Sequence, residues 1–381
     1  MYKREMNNLE LLLRKYTNNF LLSDNIINDS KIEYFNFRNI VTVTDINLIK
    51  ISSIKEIIIF FKEKLNSELI LLDSTEPNYE MIETTTKKIV NGKYDLVIAL
   101  GGGSILDVVK ASSVYENAYE KVDNFAGSKK QYTRKISKTL AIPTTAGTGS
   151  EFTHTSVYKT ETNIKTWLWD ELTYFDYVLY LPSLTLDLPK NITIACGVDA
   201  LSHLLESLMS VKFDSQNLDL CNSGIKSIWF SLPKVIEDKQ NIEERTKMLL
   251  ASGIAGKAIH FTGCGICHCI AHTLGSMTKV PHGIAIAYGL LHTIEPTLKY
   301  NQDLLSRYKD LFKKTTSDTL AQEIQNWLNN FKINFDIIEN KINFDEFIKI
   351  YYLEENKCMR DNTFYQPTES DLKILLKTLW K

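Results

Sequence analysis

No stretch of this sequence approaches the roughly 18 consecutive apolar residues that suggest a membrane span. Apolar runs such as "EIIIFF" at 56–61 and "LVIAL" at 96–100 fall far short of it. The opening "MYKREMNNLELLLRKY" holds no apolar core of signal-peptide length. A cytoplasmic protein without a membrane partner is therefore expected. Six cysteines in 381 residues are too few for a disulfide framework. Positive charge is not in excess: the formal net charge of −2 argues against the basic patch or stripe of a nucleic-acid binder. Internal repeats, low-complexity segments and flexible linkers are also missing. What is present, 44% hydrophobic and 24% charged residues, suits a globular chain. Its length exceeds one ordinary core, so two domains are expected.

The first half alternates strand and helix signals. β-branched "NIVTVTD" (39–45) reads as a strand and "IKEIIIFFKEKL" as a helix. "ELILLD" (68–73) and "YEMIETTTKKIV" repeat the pair. "YDLVIAL" (94–100) is nearly all apolar, as a strand buried on both faces must be. "KTLAIPTT" (138–145) is a fourth strand. Alternation of this kind builds a parallel sheet. Past Pro189 the strand signals stop and the periodicity is helical, as in "GVDALSHLLE" and "EERTKMLLASGIAGKAI". Thr368 and Asp371 have the spacing of a capping box. The expected fold is an α/β domain over 1–188, carrying a parallel sheet, and an all-helical domain over 189–381.

Two glycine-rich stretches follow strands. In "LVIALGGGSILDVVKA", Gly101–Gly103 clear side chains from a place where backbone meets a ligand. Ser104 is expected to cap the following helix, whose free N–H groups favour a phosphate. "IPTTAGTGSE" (142–151) is the second. Neither matches the usual dinucleotide or P-loop fingerprints, but two such loops at strand carboxyl ends mark the edge where open α/β sheets bind ligands.

The helical half holds a cluster of ligand-type side chains. Asp199 and His203 lie at i and i+4 on an otherwise apolar helix, and so share one face. A buried carboxylate is costly unless paired or bound to metal. His268 and His272 form a second such pair, and His282 follows Pro281 at a turn. A capped or salt-bridged Asp with hydrogen-bonded core histidines is the structural alternative. One carboxylate and three imidazoles would suit Fe²⁺ or Zn²⁺. Cys264, Cys267 and Cys269 compete for the same role. A zinc ribbon needs a second CxxC, which is missing, so they read as packing residues.

With "ALGGGSILDVVKA", "IPTTAGTGSE", "GVDALSHLLE" and "CHCIAHTLGSMTKVPHG" in this order, nearly the whole chain resembles the iron-containing (group III) alcohol dehydrogenase family. The resemblance implies a small alcohol or aldehyde substrate, NAD, one divalent metal ion with Fe²⁺ favoured over Zn²⁺, and a homodimer. It implies metal ligation by Asp199, His203, His268 and His282, with His272 beside the metal as the catalytic group. Gly102, Gly103 and Ser104 would meet the pyrophosphate. Asn78, Asp107, Thr144, Thr145, Thr148 and Lys165 would line the rest of the cofactor cleft. Asp45 matches the acidic residue that touches the adenosine ribose, which favours NAD over NADP.

Glycerol-dehydrogenase-like and dehydroquinate-synthase-like enzymes are alternatives on the same architecture, and a non-catalytic binding relative is a third. The aromatic stretch "TWLWDELTYFDY" (166–177) either packs the junction between the domains or, through Trp167 or Trp169, narrows the cleft.

Overall fold

The computed structural model describes residues 2–17, 19–23, 37–73, 76–114, 120–312 and 316–380. A first helix, α1 (Tyr2–Arg14), leads into β1 (Phe20–Leu22) and β2 (Ile40–Asp45). There follow α2 (Ser52–Leu65), β3 (Glu68–Leu72), α3 (Tyr79–Gly92), β4 (Leu96–Gly101), α4 (Gly103–Ser112) and β5 (Lys138–Pro143). An antiparallel hairpin, β6 (Thr155–Lys159) and β7 (Lys165–Trp169), stands outside the main sheet and precedes β8 (Tyr177–Tyr180).

The main sheet has the order β1-β8-β5-β4-β2-β3, with every pair parallel. Its central strands β4 and β5 are largely apolar on both faces because both faces are covered, whereas the edge strand β3 leaves Leu69 and Leu71 exposed. Along β4, Val97 and Ala99 enter one core layer, and Leu96, Ile98 and Leu100 the other. Helix α2 covers the second layer with Ile54, Ile57 and Phe61. Helices α3 and α4 cover the first with Ile82, Ile89, Ile105 and Leu106. The chain steps outward from β2 to β3, then returns to lay β4 on the other side of β2. The crevice of a doubly wound sheet opens at such a reversal, beyond the strands' carboxyl ends.

The helical region comprises α5 (Lys190–Met209), α6 (Leu218–Glu237), α7 (Ile242–Thr262), α8 (Ile266–Met277) and α9 (His282–Tyr300). It closes with α10 (Leu305–Phe312), α11 (Ser317–Asn329), α12 (Phe344–Tyr351), α13 (Glu354–Arg360) and α14 (Glu369–Leu375). The capping box expected at Thr368 and Asp371 starts α14. Among the described residues, α5, and α7 with α8 taken as one bent span, are long and apolar enough to cross a membrane, but most of α5 is buried within the protein. It packs against α6, α7 and α9 and forms the centre of this region.

Four of the sheet's six strands lie where the sequence signals put them. β1 and β8, and the hairpin strands β6 and β7, carry no signal that the sequence reading used. The aromatic stretch is largely β7 and the turn after it. Trp167 Nε1 donates to the Glu355 carbonyl of α13 at 3.3 Å. Trp169 meets His154 edge-on at 5.5 Å between centroids, and Phe175 is buried. The Trp167 contact joins the hairpin to the helical region, whereas that of Trp169 lies within the N-terminal half. These contacts give the cleft-narrowing alternative no support.

Candidate active site and metal centre

The crevice is lined first by backbone. Thr44 of β2 pairs with Leu100 of β4, so Asp45 ends its strand next to Gly101. Helix α4 begins at Gly103 with Gly102 as N-cap, and no side chain caps it. Ser104 therefore does not cap, contrary to expectation: it lies inside the first turn. The cap position is filled by a residue with no side chain, which leaves the first-turn N–H groups open to a ligand. A Cβ on Gly103 would lie 2.7 Å from Thr148 Cγ2, so the second loop presses on the first only because glycine stands there. Thr144 N–H donates to the Gly101 carbonyl at 3.0 Å, and Thr145 stands over Gly102. All the glycines and threonines expected at the cofactor thus face one another.

Four other expected cofactor contacts already hold protein partners. Asp107 accepts from Ser150 Oγ at 2.5 Å and from Val157 N–H at 3.0 Å, and pairs with Lys110 at 3.2 Å. It ties α4 to the second loop and to β6. Asn78 Oδ1 caps α3 by accepting from Met81 N–H at 3.0 Å. Lys165 Nζ pairs with Glu76 at 2.9 Å, and it lies 3.8 Å from where a Gly275 Cβ would stand, beside α8. Asp45 Oδ1 accepts from Asn47 N–H at 2.6 Å.

The second loop also reaches the helical region. A Cβ on Gly147 would lie 2.8 Å from Cys196 Cβ of α5 and 2.9 Å from its Cα. Cys196 is one helical turn before Asp199. Around Asp199 Oδ1 three imidazoles converge: His203 Nε2 at 3.7 Å, His268 Nε2 at 3.6 Å and His282 Nε2 at 3.7 Å. Helix α5 supplies the first two residues of this set, α8 supplies His268, and His282 opens α9 behind Pro281. Asp199 and His268 are buried, yet Asp199 Oδ1 and His268 Nε2 have no hydrogen-bond partner. Orphaned buried polar atoms facing one another at this spacing fit a shared cation. Four donors about 2.1 Å from one ion in a tetrahedral array stand about 3.4 Å apart.

The electrostatics agree with ligation. Burial alone would raise the Asp199 carboxyl, but the His203, His268 and His282 imidazoles hold it below the ordinary carboxylate range. Burial pushes His282 down to about 3, with Lys165 adding to the effect, so its imidazole is neutral and able to donate a lone pair. His272, one turn after His268, is held well below its ordinary value by burial and by Lys165. Its ring is 5.7 Å from that of His282, and among the described residues it joins none of the clustered donor groups. It therefore stands beside the centre.

Two residues passed over by the sequence reading adjoin the centre. Glu206 is buried and its Oε2 lies within hydrogen-bond reach of His268 Nδ1. Its only sequence signal is position, seven residues after Asp199 and three after His203, on the same helix face. Cys264, read as a packing residue, has its Sγ within 4.8 Å of a ring nitrogen of both His203 and His268. Burial raises this thiol, but the two imidazoles outweigh that and hold it at about 7. Cys267 and Cys269 are buried in the core, as expected.

Comparison with known proteins extends over the same residues. The profile described as "Iron-containing alcohol dehydrogenase" matches residues 25–182. The profile "Fe-containing alcohol dehydrogenase family, C-terminal" matches 193–380. Among curated proteins, the chain is 32% identical over 250 residues to long-chain-alcohol dehydrogenase 1 of Geobacillus thermodenitrificans, covering 65% of this chain and 63% of that one. It is 35% identical over 201 residues to a 1-propanol dehydrogenase of Citrobacter freundii, covering 52% and 51%. The chain thus spans between half and two thirds of the length of these relatives. Among solved structures, the NADH-dependent butanol dehydrogenase A of Thermotoga maritima superposes with a TM-score of 0.83 at 19% identity, covering 96% of this chain and 97% of that one. The sulfoacetaldehyde reductase of Bifidobacterium kashiwanohense in complex with NAD⁺ gives 0.80 at 21%, covering 95% and 96%. With both profiles matched in order along almost its entire length, the chain belongs to the iron-containing alcohol dehydrogenase family.

Proposed function

We propose that the protein is a metal-dependent, NAD-linked alcohol dehydrogenase and aldehyde reductase. Its substrates are small primary alcohols or aldehydes, polar and phosphorylated ones included. The observation that carries this reading is the convergence of three imidazole nitrogens on the orphaned Asp199 Oδ1, one helical turn from the glycine loop that follows β5, next to the strand at the sheet's switch point. In this reading Asp199, His203, His268 and His282 hold the ion, with Fe²⁺ preferred. The loops carrying Gly102, Gly103, Thr145 and Thr148 seat the dinucleotide, and Asp45 accepts from the adenosine ribose. The division at 188/189 separates the two functions, so the substrate lies in the cleft between them. The chain acts as a cytoplasmic homodimer, with no nucleic-acid or membrane partner.

When bound, the divalent ion polarises the substrate oxygen, and the nicotinamide supplies the two-electron exchange. The protein's own residues do the rest. Neutral His272 is placed to take up the hydroxyl proton at a ring nitrogen during alcohol oxidation and to return it during reduction. Lys165, beside α8, carries positive charge that both His272 and His282 sense, which helps keep those rings unprotonated. The deeply buried Asp199 and His268 keep bulk water from that side of the centre.

The test is a panel of aldehydes with NADH, run on protein loaded anaerobically with Fe²⁺ or Zn²⁺. NADH oxidation that needs the metal and favours short aldehydes is expected. No metal-dependent turnover across the panel would overturn the assignment.

A further inference from the structure

One buried carboxylate next to the metal centre has no place in the mechanism above. Glu206 is 2% exposed, on α5, among apolar neighbours. A carboxylate in such a place must be fully satisfied to be tolerated. Its Oε1 accepts from Cys267 N–H at 2.7 Å, at the start of α8. Its Oε2 faces His268 Nδ1 at hydrogen-bond contact. Gly265 leaves room for it: a Cβ there would stand 3.0 Å from Oε1. The other ring nitrogen, His268 Nε2, has no partner and points at Asp199 Oδ1, 3.6 Å away.

We propose that Glu206 is a positioning residue for the metal centre, fixing His268 in the one tautomer whose Nε2 lone pair faces the ion. This rests on the metal reading just given. The argument is one of donors and acceptors. An ionised carboxylate only accepts. Facing Nδ1, it requires the proton there and so, in the neutral ring that metal ligation demands, leaves Nε2 bare. The same carboxylate anchors the first turn of α8 through Cys267, so the ring's orientation and the helix's position are set by one group. A neutral imidazole held this way is also a more basic ligand.

Replacement by an amide breaks the arrangement in a definite way. In Glu206→Gln, one end of the side chain donates and the other accepts. With its oxygen toward Cys267 N–H, the amide NH₂ donates to Nδ1 and drives the proton onto Nε2, where it blocks the metal. With the amide flipped, the NH₂ meets the Cys267 N–H donor to donor. No orientation keeps both the Cys267 hydrogen bond and a bare Nε2.

The experiment measures Zn²⁺ and Co²⁺ affinity of the apo-protein against a chromophoric chelator, for wild type, Glu206→Gln and His268→Ala. Melting of each apo-protein and nitrogen NMR of ¹⁵N-histidine-labelled, zinc-loaded protein accompany it. Glu206→Gln is expected to bind about ten- to hundredfold more weakly than wild type, with the His268 nitrogen resonances altered and apo-protein melting little changed. A purely structural Glu206 would lower the melting temperature and leave the affinity and the resonances where they are. Gly265→Ala, which crowds the carboxylate without removing its charge, gives a second route should Glu206→Gln not fold, and is expected to weaken binding in the same direction. Wild-type affinity in whichever of the two variants folds overturns the role of Glu206. Wild type that takes up no ion overturns the metal reading itself.

Discussion

Gly147→Ala tests whether the cofactor loop and the metal helix form one unit. The added methyl would sit 2.8 Å from Cys196 Cβ, 2.9 Å from its Cα and 3.1 Å from its carbonyl oxygen. Two of those three atoms are backbone of α5, a helix buried along most of its length, so they cannot swing aside. The 142–151 loop must move instead, and with it Thr144, Thr145 and Thr148. Overpacking of this kind typically costs about 1–3 kcal/mol. If the strain is relieved by displacing the loop, the cost appears in cofactor binding, at tenfold per about 1.4 kcal/mol. The NADH dissociation constant, read by fluorescence titration, should rise about five- to hundredfold. Metal content should stay at the wild-type level, because the methyl lies a helical turn from Asp199 and on the loop side of α5. Unchanged NADH affinity together with an unchanged melting temperature would refute the close packing of loop on helix.

Three further outcomes are expected. Asp45→Gly should narrow the preference for NAD(H) over NADP(H) in steady-state kinetics; a wild type that prefers NADPH would show that Asp45 does not meet the ribose. Trp167→Ala, which loses the 3.3 Å bond to the Glu355 carbonyl, should lower the melting temperature without changing the ranking of short and bulky aldehydes; a changed ranking at constant stability would restore the cleft-narrowing role. Burial holds His154 at about 3 and His260 at about 4, below the ordinary value of 6.5, with their centroids 4.4 Å apart. Groups depressed in this way contribute stability that is fully present above pH 6.5 and lost as pH falls toward 4 and then 3. Thermal melts from pH 7 to 4 should show this loss, and His260→Asn should flatten the slope; an unaltered slope would mean that His260 is not buried neutral.

What could be read from the sequence followed physical signal strength. β2 to β5 are apolar or β-branched runs bounded by polar turns, and both glycine loops stand out because no other residue type explains them. β1 is only three residues long, and β8 only four, beginning at the last residue of the aromatic stretch. β6 and β7 alternate buried with half-exposed residues, a weaker pattern than a continuous run. The i, i+4 spacing gave Asp199 and His203 a common face, but nothing local could bring α8 and α9 onto it. That convergence depends on how α5 packs between its neighbours. Ser104 was misplaced because a serine after glycines looks like a cap, whereas here Gly102 takes that position with backbone alone. Glu206 was missed because one glutamate on an apolar helix carries no partner in its sequence neighbourhood, its partners lying about 60 residues away.

The central claim is that one ion is held by a nitrogen and oxygen set, and metal stoichiometry tests it most directly. Apo-protein of wild type, His203→Ala, His282→Ala and Cys264→Ser is titrated anaerobically with Fe²⁺ and then desalted, and bound metal is counted per chain. Wild type and Cys264→Ser should each retain one ion, whereas His203→Ala and His282→Ala should retain essentially none. Loss of the ion from Cys264→Ser to the same extent as from the histidine variants would contradict the account.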